Sequence, residues 1–148
     1  MYVIRPWLVL GKHQETHHLP LLQAYGIEAM LQFAEKVEHP TIRSLYLPIE
    51  DGIPLSTEAF QQGIDFMHTN HQEGKKILVS CGAGISRSVT FVIAFLKETE
   101  ELTLLEAYQT VLKVHGRALP HPKLWQSLCA YYQENSPYWH LLKKYNGK

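Results

Sequence analysis

In the segment VSCGAGISRS, residues 79–88, Cys81 is followed six residues later by Arg87 and then by Ser88. Between them lie Gly82, Ala83, Gly84, Ile85 and Ser86, a stretch with a single bulky side chain. Two glycines let the backbone curl until successive N–H groups converge, and such a nest favours an anion of phosphate size. A helix opening just beyond adds its own free N–H groups and positive dipole end. A guanidinium can close the nest with a bidentate fork on two phosphate oxygens. A thiol at the base of so positive a site ionises more readily than in water and becomes a nucleophile. The expectation is a phosphoryl-binding loop with a nucleophile beneath it. Cys and Arg at this spacing arise by chance in roughly one such chain in ten; the added glycine and hydroxyl lower that to the order of one in a thousand. A buried cysteine in an ordinary strand-to-helix turn is the weaker reading.

The elements that must position this loop are legible on either side. KKILVS is a short apolar run bounded by turn signals, the mark of a buried strand. SVTFVIAFLKETE is apolar nearly all round at first, so a central buried helix is expected after the loop. Upstream, YVIRPWLVLG reads as one strand ending at Gly11, with Pro6 marking it as an edge. A short helix follows, with Pro20 in its first turn and Gly26 at its C-terminal cap, and IEAMLQFA and TIRSLYLPI are further strands. Ser56 caps a helix with Phe60, Gly63, Ile64 and Met67 on one face, ending near Gly74. Thr103 and Glu106 have capping-box spacing for a helix stopping near Gly116, Pro122 opens another, and Ser136 and Pro137 are candidate caps for a last one. Strand and helix alternate in the first half and helices fill the second. The predicted fold is α/β, a single domain over residues 1–148 with a mainly parallel central sheet flanked by helices.

The segment CGAGISRSVTFVIAFL resembles the signature loop and helix of the protein tyrosine phosphatase superfamily, and most closely the small dual-specificity phosphatases. The likeness extends to the N-terminal PWLVLG, to LLQAYGI, to LPIEDGIP and to EAYQTVLKVHGRALPHP, and leaves out the final dozen residues. It implies the family's fold and a phosphatase that forms a cysteinyl-phosphate on Cys81. Arg87 and the amides of Gly82, Ala83, Gly84, Ile85, Ser86 and Arg87 would bind the phosphoryl oxygens. Ser88 would bond the sulfur and improve it as a leaving group. The family's general acid is an aspartate some thirty residues upstream, which implies Asp51; the adjacent Glu50 is the alternative, and a solvated loop carboxylate the bland one. Two positions depart from the pattern. Ser80 stands where the family has a histidine before the cysteine, and His121 where an asparagine commonly supports the loop. No metal or other cofactor is implied.

The substrate class follows from the same resemblance. The chain is short and no aromatic recognition loop precedes its first strand, implying a shallow pocket open to phosphotyrosine and to phosphoserine or phosphothreonine. The loop carries no lysine, which disfavours phosphoinositides. A phosphoprotein-binding module with weakened catalysis, because of Ser80, is the rival from another class, and a rhodanese-like sulfur carrier a more remote one.

Composition narrows the rest. The 148 residues are 45% hydrophobic and 19% charged, enough for one sizeable core. Fourteen basic residues balance fourteen acidic ones, so no global field draws the chain to nucleic acid or an anionic membrane. With two cysteines, no apolar run of membrane-spanning length and no basic leader ahead of a long apolar stretch, a cytoplasmic monomer with free thiols is expected. His13 and His17, and His68 and His71, have helix-face spacing, but no acid or cysteine set completes a metal site, and solvated histidines are expected. Cys129, among Trp125, Leu128 and Tyr132, reads as core, and Trp139, Leu141 and Leu142 as the docking face of the last helix.

Overall fold

Alternation of side chains along the central strand sets the layout of the computed structural model, which describes residues 1–145. The five strands are β1 (Tyr2–Arg5), β2 (Leu8–Lys12), β3 (Ala29–Gln32), β4 (Arg43–Tyr46) and β5 (Ile77–Cys81). Their order across the sheet is β1-β2-β5-β3-β4, parallel except for β1. In β5, Ile77, Val79 and Cys81 face one core while Leu78 faces the other. The period of two thus delivers Cys81 to the larger core and turns Ser80 to the opposite face.

The larger core lies under α2 (Thr57–Gln72), α3 (Arg87–Glu100), α4 (Leu104–Val114), α5 (Pro122–Tyr132) and α6 (Trp139–Tyr145). The smaller one joins Val9, Met30 and Leu78 of the sheet to Leu22 of α1 (Leu19–Ala24). Helix α3 is buried on every side over residues 88–96, as its apolar sequence requires. Ser56 accepts from the Ala59 amide, and Thr103 and Glu106 form their reciprocal capping box. No helix among the described residues is long and apolar enough to cross a membrane.

Two expectations need correction. The N-terminal strand is two antiparallel strands, with Tyr2 opposite Leu10 and Val3 opposite Val9. Pro6, which has no N–H to give a ladder, sits at the exposed turn, so the edge it signals is β1 alone. Trp7 beside it stacks on His71, with ring centroids 3.8 Å apart, and lies edge-on to Phe95. Ser136 does not cap through its hydroxyl, which is buried without a partner among the described residues; its carbonyl accepts from the Trp125 indole at 2.7 Å.

Gly63 is where α2 meets α3. A Cβ there would lie 2.4 Å from Cε2 of Phe91, a ring held between Phe33 and Phe60. Because that ring is fully buried and cannot swing away, Gly63→Ala is expected to destabilise the fold by about 1–3 kcal/mol, read from urea unfolding. A variant as stable as the native chain would show that the two helices separate freely.

Candidate active site

Strand β5 ends at Cys81, the chain curls through residues 82–86, and α3 begins at Arg87. The Cys81 thiol is 2% exposed and faces the first turn of α3. Ser88 Oγ lies 3.1 Å from Sγ, and the Ser88 amide donates to the sulfur at 3.4 Å. A negative charge on sulfur here meets a hydroxyl, an amide and the positive end of a helix.

The curl is held by its carbonyls. His13 lies in a short 3-10 turn (His13–His17), and its Nδ1 donates to the Gly82 carbonyl at 3.2 Å. His115 Nε2 donates to the Gly84 carbonyl at 3.0 Å, and the Leu119 amide to that of Ile85 at 3.0 Å. Among the described residues, the amides of residues 82–86 find no protein acceptor and are open to a ligand. Gly84 has φ of +71°, and a Cβ on it would come within 2.9 Å of the Gly11 carbonyl on β2. Only glycine satisfies both conditions.

Arg87 is anchored by one nitrogen. Its Nη1 donates to the carbonyls of Ile49, at 2.9 Å, and Phe33, at 3.3 Å. Nε is buried without a partner among the described residues, and Nη2 lies beside Gly82, 3.2 Å from where a Cβ would be. One corner of the guanidinium therefore fixes its plane while Nε and Nη2 can grip two oxygens.

The carboxylate expected from sequence reaches this site. Ser86 Oγ donates to Asp51 Oδ1 at 2.7 Å and accepts from the His121 amide at 2.8 Å. Ser86 is the N-cap residue of α3 yet gives that helix no side-chain bond; in the first turn the Ser88 amide is taken by Cys81 Sγ instead. Glu50 is exposed, lines a neighbouring groove with Ile53 and Leu124, and makes no contact with the loop's hydroxyl.

Ser80 is 1% exposed, and its hydroxyl has no hydrogen-bond partner among the described residues. Its carbonyl receives the Phe33 amide at 3.1 Å, which brings the end of β3 to Arg87. The His121 side chain caps α5, accepting from the Lys123 amide, so the loop is bonded by its backbone only. Of the histidines expected in solvent, His17 is exposed and pairs with Glu35, and the half-buried His68 pairs with Glu98. His71 lies on Trp7, and His13 belongs to the site. Neither His13 nor His115 carries a local sequence signal, because each acts on a loop distant in the chain. Cys129 is half-buried and its thiol donates to the Ser136 carbonyl; burial pushes it up from its ordinary pKa. Leu141 is buried in the core as expected of a docking helix, while Trp139 and Leu142 remain exposed.

The chain is similar to known proteins in sequence and in fold. The model of the dual specificity phosphatase catalytic domain matches residues 8–134. Dual specificity protein phosphatase 19 of Mus musculus is 31% identical over 137 residues, covering 87% of this chain and 60% of that protein. Dual specificity protein phosphatase 2 of Homo sapiens is 34% identical over 122 residues, covering 80% of the chain and 39% of that protein. The chain therefore spans 60% or less of the length of these curated relatives. Among solved structures, the human tyrosine phosphatase-like serine/threonine/tyrosine-interacting protein superposes with a TM-score of 0.83 at 28% identity, covering 90% of this chain and 95% of that one. DUSP15 superposes at 0.80 with 26% identity, over 86% and 84%.

Because Gly84 combines a left-handed backbone with contact on Gly11, Gly84→Ala is expected to deform the loop while the distant core persists. Vanadate affinity measured by calorimetry should fall by roughly five- to 150-fold, since one strained residue costs of order 1–3 kcal/mol. Unchanged affinity would mean that the loop does not use this backbone conformation to hold an anion.

Proposed function

The chain belongs to the dual specificity phosphatase catalytic-domain family, and from that membership we propose that it hydrolyses phosphotyrosine and phosphoserine or phosphothreonine monoesters of proteins through a cysteinyl-phosphate. The observation that carries the reading is the Cys81 thiol set against Ser88 beneath a loop whose amides, like Nε of Arg87, find no protein partner among the described residues. The proposal assigns residues 1–148 to one catalytic domain acting as a monomer. A reducing, cytoplasmic compartment suits it, since both cysteines are free thiols.

The phosphoryl group of the substrate sits in the nest, its non-bridging oxygens on the amides of residues 82–87 and on Nε and Nη2 of Arg87. The Cys81 thiolate attacks phosphorus; the S–P bond forms as the bond to the substrate oxygen breaks. Asp51, protonated, gives its proton to that departing oxygen. Charge spread over the equatorial oxygens is met by donors already in place. Water then attacks the cysteinyl-phosphate while the Asp51 carboxylate takes its proton, and the Ser88 hydroxyl steadies the sulfur as it leaves. Apart from substrate and the attacking water, the groups in each step are those of this chain.

Ser86 gives the acid its place. It holds Asp51 through one oxygen in the resting site, which leaves Oδ2 to carry the proton to the substrate. The rival reading, a phosphoprotein-binding module, draws on the Ser80 hydroxyl, which has no partner among the described residues, and on a similar structure named as a tyrosine phosphatase-like interacting protein. Turnover separates the two.

Cys81→Ser is expected to abolish hydrolysis of an aryl phosphate while retaining affinity for a phosphopeptide. Activity above about one part in a hundred would exclude covalent catalysis by this residue. A native chain that binds phosphopeptides but never turns them over would favour the binding module. Asp51→Asn is expected to lower kcat by roughly 10²–10⁴ with phenyl phosphate and much less with nitrophenyl phosphate, whose leaving group needs no proton. If Glu50→Gln shows that leaving-group dependence instead, the acid is Glu50.

A further inference from the structure

His115 follows α4, thirty-four residues beyond the nucleophile, and is 3% exposed. Its ring stacks on Tyr2, with centroids 3.9 Å apart and planes 11° from parallel. Nε2 lies 3.0 Å from the Gly84 carbonyl oxygen. A carbonyl can only accept, so Nε2 carries a hydrogen, and the neutral form of the ring then leaves Nδ1 bare. Burial works in the same direction, pushing the ring below its ordinary pKa, although the Gly84 carbonyl opposes this. The charged groups around it, Arg117, Lys12 and the chain's amino terminus, are all cationic and also disfavour a second proton.

A buried imidazole therefore lies beneath the phosphoryl nest, joined to the turn that most needs support. Gly84 has the left-handed backbone, its α carbon presses toward the Gly11 carbonyl, and its own carbonyl would be unsatisfied without the ring. The Gly84 carbonyl and the Ile85 amide are two ends of one peptide group. A donor on the oxygen draws electron density from the nitrogen and makes the Ile85 N–H a stronger donor in turn. His13 stands in the same relation to the Gly82 carbonyl and the Ala83 amide.

We propose that His115 is a positioning residue for phosphoryl transfer: its Nε2–H holds the Gly84 carbonyl outward and polarises the Ile85 amide toward the phosphoryl oxygens. The residue touches no substrate and acts through the loop. The strap carrying it is fixed independently, because the Tyr108 hydroxyl donates to the Ala118 carbonyl at 2.8 Å and the Tyr138 hydroxyl to that of Pro120 at 2.5 Å. Replacing the ring therefore need not release the strap. The proposal rests on the phosphatase reading for its reaction, but its oxyanion-binding half can be measured without turnover.

His115→Phe keeps a ring to stack on Tyr2 and lacks the donor, whereas His115→Gln keeps a donor able to reach the carbonyl. Vanadate binding by calorimetry and kcat with nitrophenyl phosphate are measured on both, beside melting temperature. His115→Phe is expected to bind vanadate roughly three- to tenfold more weakly and to lose kcat by a similar factor, with His115→Gln recovering most of both. A role confined to stability would lower the melting temperature of both variants while leaving affinity and kcat of the folded fraction unchanged, and that result overturns the proposal. Should His115→Phe not fold, the native chain supplies the decision by NMR. The Ile85 amide proton should move downfield on saturation with inorganic phosphate, and the His115 ring should be the Nε2–H tautomer. An indifferent Ile85 amide, or the Nδ1–H tautomer, overturns the proposal while leaving catalysis by Cys81 untouched. A native chain that binds no oxyanion at all overturns both readings.

Discussion

A loop can offer its amides to an anion only if something else occupies its carbonyls. Each peptide group points its two polar ends in opposite directions, so a nest of inward N–H groups has an outer shell of C=O groups that need donors. In this chain those donors come from far apart. His13 follows β2, His115 follows α4, and Leu119 lies on the strap before α5. The glycine at the sharpest point of the curl rests on the β2 backbone through Gly11. The sheet and the helical half are thus both needed to hold the carbonyls of this loop.

The same economy of contacts joins the loop to Asp51. The guanidinium of Arg87 ties the end of β3, through Phe33, to the segment bearing Asp51, through Ile49. Ser86 ties that segment to the strap by donating to Asp51 and accepting from the His121 amide. Moving any one of these segments disturbs the distance between sulfur and carboxylate. Most of the anchors are backbone carbonyls and amides, which side-chain substitution elsewhere does not remove. This leaves room for Ser80 and His121 to differ from the family pattern while the loop keeps its shape. Ser80 lies across the sheet from the thiol, and His121 acts on Ser86 through its main chain.

The loop motif was legible because it is local. Cys81, the glycines, Arg87 and Ser88 fall within eight consecutive residues, and a strand before and a helix after suffice to shape them. The buried strand β5, the all-apolar α3 and the capped starts of α2 and α4 were legible for a similar reason, since their signals lie in the hydrophobic period and in residues three apart. The split between β1 and β2 was missed because a proline at an exposed turn and a proline on an edge strand look alike until pairing partners are known.

By itself, the sequence determined the Cys81–Arg87–Ser88 spacing, the family resemblance, the α/β order of elements and a short region holding two adjacent carboxylates, Glu50 and Asp51. Tertiary structure decided which carboxylate meets the loop, bringing Asp51 to Ser86 and leaving Glu50 against another groove. It also decided that His13 and His115 serve the loop while His17 pairs at the surface. The physical reason is the range of the interactions. Backbone curvature and helix initiation depend on neighbours in the chain, whereas a hydrogen bond to an outward carbonyl depends only on what the folded chain brings within about three ångströms of it.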